Sequence, residues 1–475
     1  MLRRGLLGPA SSGVGSRTFG VLVVWIAAVM FSHAGGSAQE RRPLAPTFNK
    51  DIAPILFDRC VACHRPGEVA PMSLLSYGDA RPWAASIKRM VQTRRMPPWP
   101  ADPQFGEFKN NRRLSEEQVA TIVAWVDGGA PEGDGRPPAP PMFRDGWSSR
   151  MDRPPDQVIE TPFTFEVPAT GTVPTFAVWV KVPVRDDRFI QAIELRPDNP
   201  RVVHHSSVTV GALPSGTKLG RGEAWEGGPV LDGVPLYSDG RPFRAASAES
   251  FGKPLLFYVP GGGALQFPDG LAKRISPDQY FAWGLHFITI GTRQTVKVRL
   301  GLWWAKKAVH HEIYTWTVNE RLVANGMDVV RDGKGRPQMP HIPAGVENWP
   351  MTGTLQVKED ITLYALWPHM HFRGKDMTFV LTAPDGKQET LLAVRRYDPN
   401  WQIVYELARP KKIKARSTIT AYGHFDNSAA NPHNPDPNED VVFGEQGNNE
   451  MYIPFLEVTV DDEDLRFQRL QERLR

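Results

Sequence analysis

Only two cysteines occur among the 475 residues, and they stand three positions apart in Cys60-Val61-Ala62-Cys63-His64. Two thiols at this spacing can add to the two vinyl groups of a haem, and the adjacent imidazole then reaches the iron. A thioredoxin-like dithiol or half of a zinc site shares the pattern, but there is no second cysteine pair and no βαβ pattern around the motif. The expectation is one covalent haem c, attached through Cys60 and Cys63, with His64 on the iron. A thioether as sixth ligand would raise the reduction potential and suit an electron carrier. Met96 lies in the proline-stiffened run Arg95-Met96-Pro97-Pro98-Trp99 and is favoured for that place. Met90 falls in a helical stretch and reads as core; Met72 is also available.

A second chemistry is carried by histidines. In Trp367-Pro368-His369-Met370-His371-Phe372, residues two apart on a strand share a face, so His369 and His371 can hold one metal while Met370 turns away. Two histidines on a sheet surface would look the same. Neighbours in Val203-His204-His205-Ser206 face opposite sides of a regular strand, so a shared metal there needs a bulge or a strand end. His286, in Gly284-Leu285-His286-Phe287, stands in an otherwise apolar strand and taken alone reads as a core histidine.

The order of these groups carries a resemblance. His204-His205, then His286, then His369-Met370-His371, then Asn449-Glu450-Met451 is similar to the type II copper, ascorbate-dependent monooxygenases, the family of peptidylglycine α-hydroxylating and dopamine β-monooxygenases. It covers about residues 158–460, with the flanks Ile342-Pro343-Ala344-Gly345, 369–375 and 444–451. Residues 48–134 resemble a class I cytochrome c. The resemblance implies two coppers: an electron-relay copper on His204, His205 and His286, and an oxygen-activating copper on His369, His371 and Met451. Imidazole suits both copper oxidation states, and thioether favours the cuprous one.

The activity implied is hydroxylation of a C–H bond of a small organic substrate with O2. Electrons would come from an external donor through the fused cytochrome, reaching the histidine-only copper first. Three departures bear on the substrate. The family's animal members are disulfide-rich, whereas both thiols here are committed to haem. Trp367 stands where peptide-hydroxylating members carry a carboxylate-binding arginine. Ile453 and Phe455 replace the polar pair that follows their methionine ligand. These changes point away from peptides and towards an apolar substrate. A non-hydroxylating electron-transfer or copper-binding protein, and a copper–haem reductase on the same scaffold, are the other readings. His424, beside Phe425-Asp426-Asn427, is a further candidate for lining the site, while His310, His311, His341 and His433 read as surface or loop residues.

These residues need elements to position them. Residues 50–57 read as a short amphipathic helix, and Ser115 caps another that ends at Gly128-Gly129. Beyond a Pro/Gly-rich stretch, short alternating runs recur at 163–167, 175–182, 190–195, 202–210, 281–290, 296–302, 361–366, 377–381, 419–425 and 451–460. The expected fold is multidomain: a small all-α cytochrome c domain, then two all-β copper domains, each an antiparallel, jelly-roll-like sandwich. The expected boundaries are a signal at 1–38, the cytochrome domain at 39–134, a linker at 135–157, β domains at 158–315 and 316–462, and a charged tail at 463–475.

Hydrophobic residues at 41% and charged ones at 23% fit a soluble globular chain. The formal charge is +4, and Arg3, Arg4 and Arg17 account for three of those charges before residue 39. The remainder is close to neutral, which removes the case for a nucleic-acid partner. Those basic residues, an apolar stretch at 19–31 and Gly36-Ser37-Ala38 read as an export signal, hence a periplasmic or otherwise exported protein. The apolar stretch is too short to span a bilayer, so no stable membrane span is expected once the signal is cleaved.

Overall fold

The structure, a computed structural model, describes residues 46–143, 147, 151–223, 230–242, 252–260, 262–333, 335–444 and 448–466. The expected signal and the end of the charged tail lie outside the described residues. The protein is mostly β. A short helical segment comes first, and two β bodies follow, each built from a six-stranded and a four-stranded sheet around one core. Among the described residues no helix is long and apolar enough to cross a membrane.

The helical segment has α1 (Ala53–Arg59), α2 (Tyr77–Ala80), α3 (Ala84–Gln92) and α4 (Glu116–Asp127). The single helix expected over 50–57 is replaced by a π-helical turn, Phe48–Ile52, that runs into α1. Pro54 sits in the first turn of α1, where its missing N–H costs nothing. Ser115 caps α4 in a full capping box with Gln118. Gly129 then takes φ +91°, a conformation open to glycine, and ends the helix. Phe48, Leu56, Ile122 and Trp125 form this segment's own core.

Not all of residues 39–134 belong to that core. Trp99, Ala101 and Phe108 pack into the core of the second β body. Asp102 N donates to Ala393 O at 2.7 Å, Lys109 N to Glu406 O at 2.9 Å and Ala408 N to Glu107 O at 2.7 Å. Residues 99–110 are thus a strap that runs from the end of the edge strand Gln388–Val394 to the edge strand Tyr405–Ile413. Tyr405–Ile413 carries Glu406, Arg409, Pro410, Lys411 and Lys412, a polar texture that lacks strand-like alternation. The Pro/Gly-rich stretch is held as well: Asn49 Nδ2 donates to the carbonyls of Gly133 and Gly135.

In the first β body, one sheet runs Gln157–Glu160, Val298–Trp304, Arg188–Pro197, Leu271–Ile275 and His311–Glu312, with Leu265–Gln266 beside Arg188–Pro197. The facing sheet runs Phe176–Lys181, Gln279–Phe287, Val203–Ala212 and Lys253–Tyr258. In the second body the four-stranded sheet is Tyr314–Thr317, Ile453–Val460, Ile361–His369 and Tyr405–Ile413. Its partner includes Trp349–Gln356, Thr418–Phe425 and Gly374–Thr382. Gly353 is required where it stands, since a Cβ there would lie 2.1 Å from Val318 O. The two bodies share a buried ion pair: Lys273 Nζ lies 2.9 Å from Glu457 Oε2 and donates to Thr315 Oγ1 at 2.6 Å.

Candidate metal centre

His204 and His205 lie on Val203–Ala212, and His286 lies on the neighbouring strand Gln279–Phe287. His286 pairs directly with His205, but the next residue, Phe287, pairs with Val203. The register slips by one, and His204 is the extra residue of a bulge. That slip lets two sequence neighbours reach one point. Candidate ligand atoms from the three rings all lie within 4.8 Å of one another. His205 Nε2 and His286 Nδ1 are 3.1 Å apart, and two nitrogens about 2.0 Å from one ion lie at roughly that spacing.

The surroundings suit a cation. Nδ1 of His204 is buried without a hydrogen-bond partner, and such an atom costs about 1–3 kcal/mol unless something satisfies it; His205 faces the shared point with Nε2 instead. His204 Nε2 donates to Asn400 Oδ1 at 3.2 Å, which leaves the lone pair on the orphaned Nδ1. Burial holds all three imidazoles below their ordinary pKa, His286 to about 3. All three are therefore neutral, as a ligand must be.

The second group is assembled differently from the expectation. His369 is the last residue of Ile361–His369, and His371 lies beyond it in the turn leading to Gly374–Thr382, so the two do not share one regular strand face. Their rings are nonetheless 5.3 Å apart, because Met370 turns into the core and Tyr397 Oη clamps its backbone, accepting from Met370 N and donating to Met370 O. Met451 Sδ stands 3.4 Å from His369 Nε2. His369 Nδ1 donates to Gln402 Oε1 at 2.6 Å and His371 Nδ1 to Asn449 O at 3.0 Å, so on both rings Nε2 carries the lone pair. Burial pulls the His369 imidazole down to about 4.

Glu450 anchors the turn. Its carboxylate accepts from His371 N at 2.9 Å and from Arg373 N at 2.6 Å, while burial pushes its pKa up to about 7. The two groups adjoin: the His205 and His371 rings are 6.4 Å apart, and Phe372 stacks on His204 at 6.2 Å. His424 pairs with Asp376 at 2.8 Å, and no contact places it with either group.

The loop 60–64 continues α1 by one turn, with Cys63 N and His64 N both donating to Cys60 O. Residues i, i+3 and i+4 of such a turn share one side, so Cys60, Cys63 and His64 do too. The thiols are free and half-buried, and burial pushes Cys60 up to about 12 and raises Cys63. A dithiol exchanger needs the opposite shift. The His64 ring hydrogen-bonds the Met72 backbone, and its Nδ1 is buried with no partner, a polar atom left for another group to satisfy. Met96 lies half-buried on the loop after α3, its N–H donating to Met90 O.

Asn400 and Gln402 carry no sequence signal of their own. Loop amides are common, and nothing in their spacing ties them to histidines some 200 and 33 positions away. The acidic neighbour of Met451 offered a weak signal.

No family model matches the sequence, and the comparison with curated proteins found no match. Solved structures resemble it only distantly. PNGF-II matches at 10% identity with a TM-score of 0.20, over 62% of this chain and 65% of that one. A Paenibacillus xanthan lyase matches at 11% identity with a TM-score of 0.15, over 69% and 27%. The chain thus spans less than two thirds of either length, and likenesses this weak carry no argument.

Proposed function

We propose that the chain is an exported, haem- and copper-dependent monooxygenase that hydroxylates a C–H bond of a small, apolar organic substrate. The observation that carries this reading is the approach of two chemically distinct ligand groups, three histidines on one and two histidines with a thioether on the other, with rings 6.4 Å apart. Copper bound in these groups supplies one-electron chemistry and O2 activation, and a haem on the 60–64 loop supplies electrons.

The chain's own residues prepare that chemistry. His204, His205 and His286 are kept neutral and converge on one point. Asn400, Gln402 and the Asn449 carbonyl fix which nitrogen of each ring carries the lone pair. Met451 adds a soft donor that favours the cuprous state. Cys60 and Cys63 attach the haem, His64 ligates it, and Met96 is the proposed sixth ligand. The domain boundaries follow: the helical segment is the cytochrome, and the two β bodies are the copper domains.

Metal analysis of protein matured in an exporting host should give about two copper and one iron per chain, the count these donor sets require. Anaerobically reduced protein should reoxidise its haem rapidly on meeting O2, and His371→Ala should slow this. A chain that takes up no copper, or a variant that reoxidises as fast as its parent, defeats the reading.

A further inference from the structure

The two ligand groups are almost sealed. His369 is 0% exposed, and His204, His205, His286, His371 and Met451 are 4–9% exposed. A molecule that reaches the space among them must therefore displace a side chain. A cleft of about 880 Å³ opens alongside, where the helical segment meets both β bodies.

Phe257, Trp367 and Gln402 line this cleft and also touch ligand histidines. Gln402 is tied at both ends of its amide, accepting from His369 Nδ1 at 2.6 Å and donating to Pro399 O at 3.1 Å. Trp367 stands 6.3 Å from His369 but stacks on Phe455 at 4.3 Å, and its strand is flanked on both sides. Phe257 differs from both. Its side chain has no hydrogen bond to hold it, and it lies on the edge strand Lys253–Tyr258, one residue from the end. Its ring stacks on His205 at 5.5 Å and meets His369 edge-on at 5.2 Å. One ring thus borders the cleft and a histidine of each group at once.

The wall around that ring is apolar. Phe257, Val259, Trp367 and Phe455 form a buried cluster apart from both large cores, with Ile453 and Val404 against it. A neutral apolar molecule can lie on such a wall, whereas a charged one would lose hydration with nothing in return. Charges on the other wall are matched among themselves, since Glu68 pairs with Arg65 at 2.7 Å and with Arg196 at 2.8 Å.

We propose that the cleft admits a neutral, apolar substrate and that Phe257 is the gate whose bulk decides which molecules pass from it to both ligand groups. The inference rests on the copper reading above and names the route by which its substrate enters. Swinging the ring aside breaks no hydrogen bond and costs only its contacts with Trp367 and the two imidazoles, so the gate can open without unfolding the strand.

The test uses full-length, copper-loaded protein, reduced and kept anaerobic. It is mixed with methyl, n-butyl and tert-butyl isocyanide, neutral apolar ligands soft enough for cuprous copper. Capture at copper is read from the shifted C≡N stretch, and haem absorption reports separately any binding at iron. In the parent the rate should fall as the ligand grows. Phe257→Ala should raise the tert-butyl rate several-fold and leave the methyl rate nearly unchanged, and Phe257→Leu should fall between. Phe143→Ala, on the wall that carries Arg65, should behave as the parent does. A size dependence that is absent in the parent, or the same in both Phe257 variants, would overturn the gate and leave the copper reading standing. An equal gain from Phe143→Ala would do the same. A parent that takes up no copper would overturn both.

Discussion

On the proposed copper reading, replacing Gln402 by leucine should weaken metal binding at one ligand group and spare the other. Gln402 is 2% exposed, and its Oε1 accepts from Nδ1 of the fully buried His369 at 2.6 Å. Without that acceptor, the Nδ1 proton faces a cost of about 1–3 kcal/mol for a buried unsatisfied donor. The ring can escape by moving the proton to Nε2, which faces only the weak thioether acceptor of Met451 at 3.4 Å. Nε2 is the atom a metal needs, so binding must first reverse that shift. The expected loss is roughly 10- to 100-fold in affinity, the usual size for removing a partner that orients a ligand. Gln402→Glu keeps an acceptor and should retain most of the affinity. Asn400→Leu is the mirror experiment, because Asn400 orients His204 in the other group. Titration against a competing chelator, with EPR to separate the sites, gives both affinities. The reasoning fails if Gln402→Leu weakens both sites equally, or neither.

Two further outcomes concern stability. Lys273→Met removes the cation from a pair buried between the β bodies and strands Glu457. It should cost about 3–5 kcal/mol in denaturant melts, and Lys273→Met with Glu457→Leu should recover most of that. Burial also holds the Glu457 carboxyl above the ordinary range, outweighing Lys273 and Thr315. The folded state therefore keeps that proton to higher pH than the unfolded chain does. The group's contribution is full below the ordinary carboxylate pKa and is lost as pH rises through the raised value. Glu457→Gln should flatten that fall in a series of melting temperatures against pH, and an unchanged slope would contradict it. Phe108→Ala should cost about 3–5 kcal/mol, since the ring packs at 6.1 Å from Trp99 and 5.4 Å from Tyr405. It should also expose residues 99–110 to limited proteolysis, and a variant as stable and resistant as the parent would rule out the strap.

What the sequence revealed depended on whether the signal was local. All ten runs meet strands, because alternate residues of a strand lie on opposite faces, although several of these strands, Val203–Ala212 and Gln279–Phe287 among them, are buried on both faces. The bulge at His204 followed from the same rule: two neighbours that share a site cannot both lie on a regular strand, and the register slip at Phe287 is how the chain resolves this. Signals that depended on another element were lost. Trp349–Gln356 contains Pro350 and Gly353, which read as turn residues until Val318 O is seen lying where a Cβ would be. The strap looked like a cytochrome loop because its partner strand is 300 residues away. His371 was placed on a strand face, but its position is set by Glu450 and the Asn449 carbonyl, which only the fold brings near.

The loop 397–402 draws these observations together. Tyr397 clamps Met370 between the two histidines of one group, Gln402 orients His369, and Asn400 reaches across to the first β body to orient His204. The histidine-only group therefore has its ligands in one body and part of its support in the other. His204 alone can turn its lone pair either way; with Asn400 in place it presents Nδ1. Metal binding at that group then favours the docked arrangement by the amount that docking improves the site, because a ligand stabilises whichever state it binds better. The short strap and the Lys273–Glu457 pair hold the same junction from other sides. The distance between the two ligand groups is thus fixed by contacts that the ligands themselves help to complete.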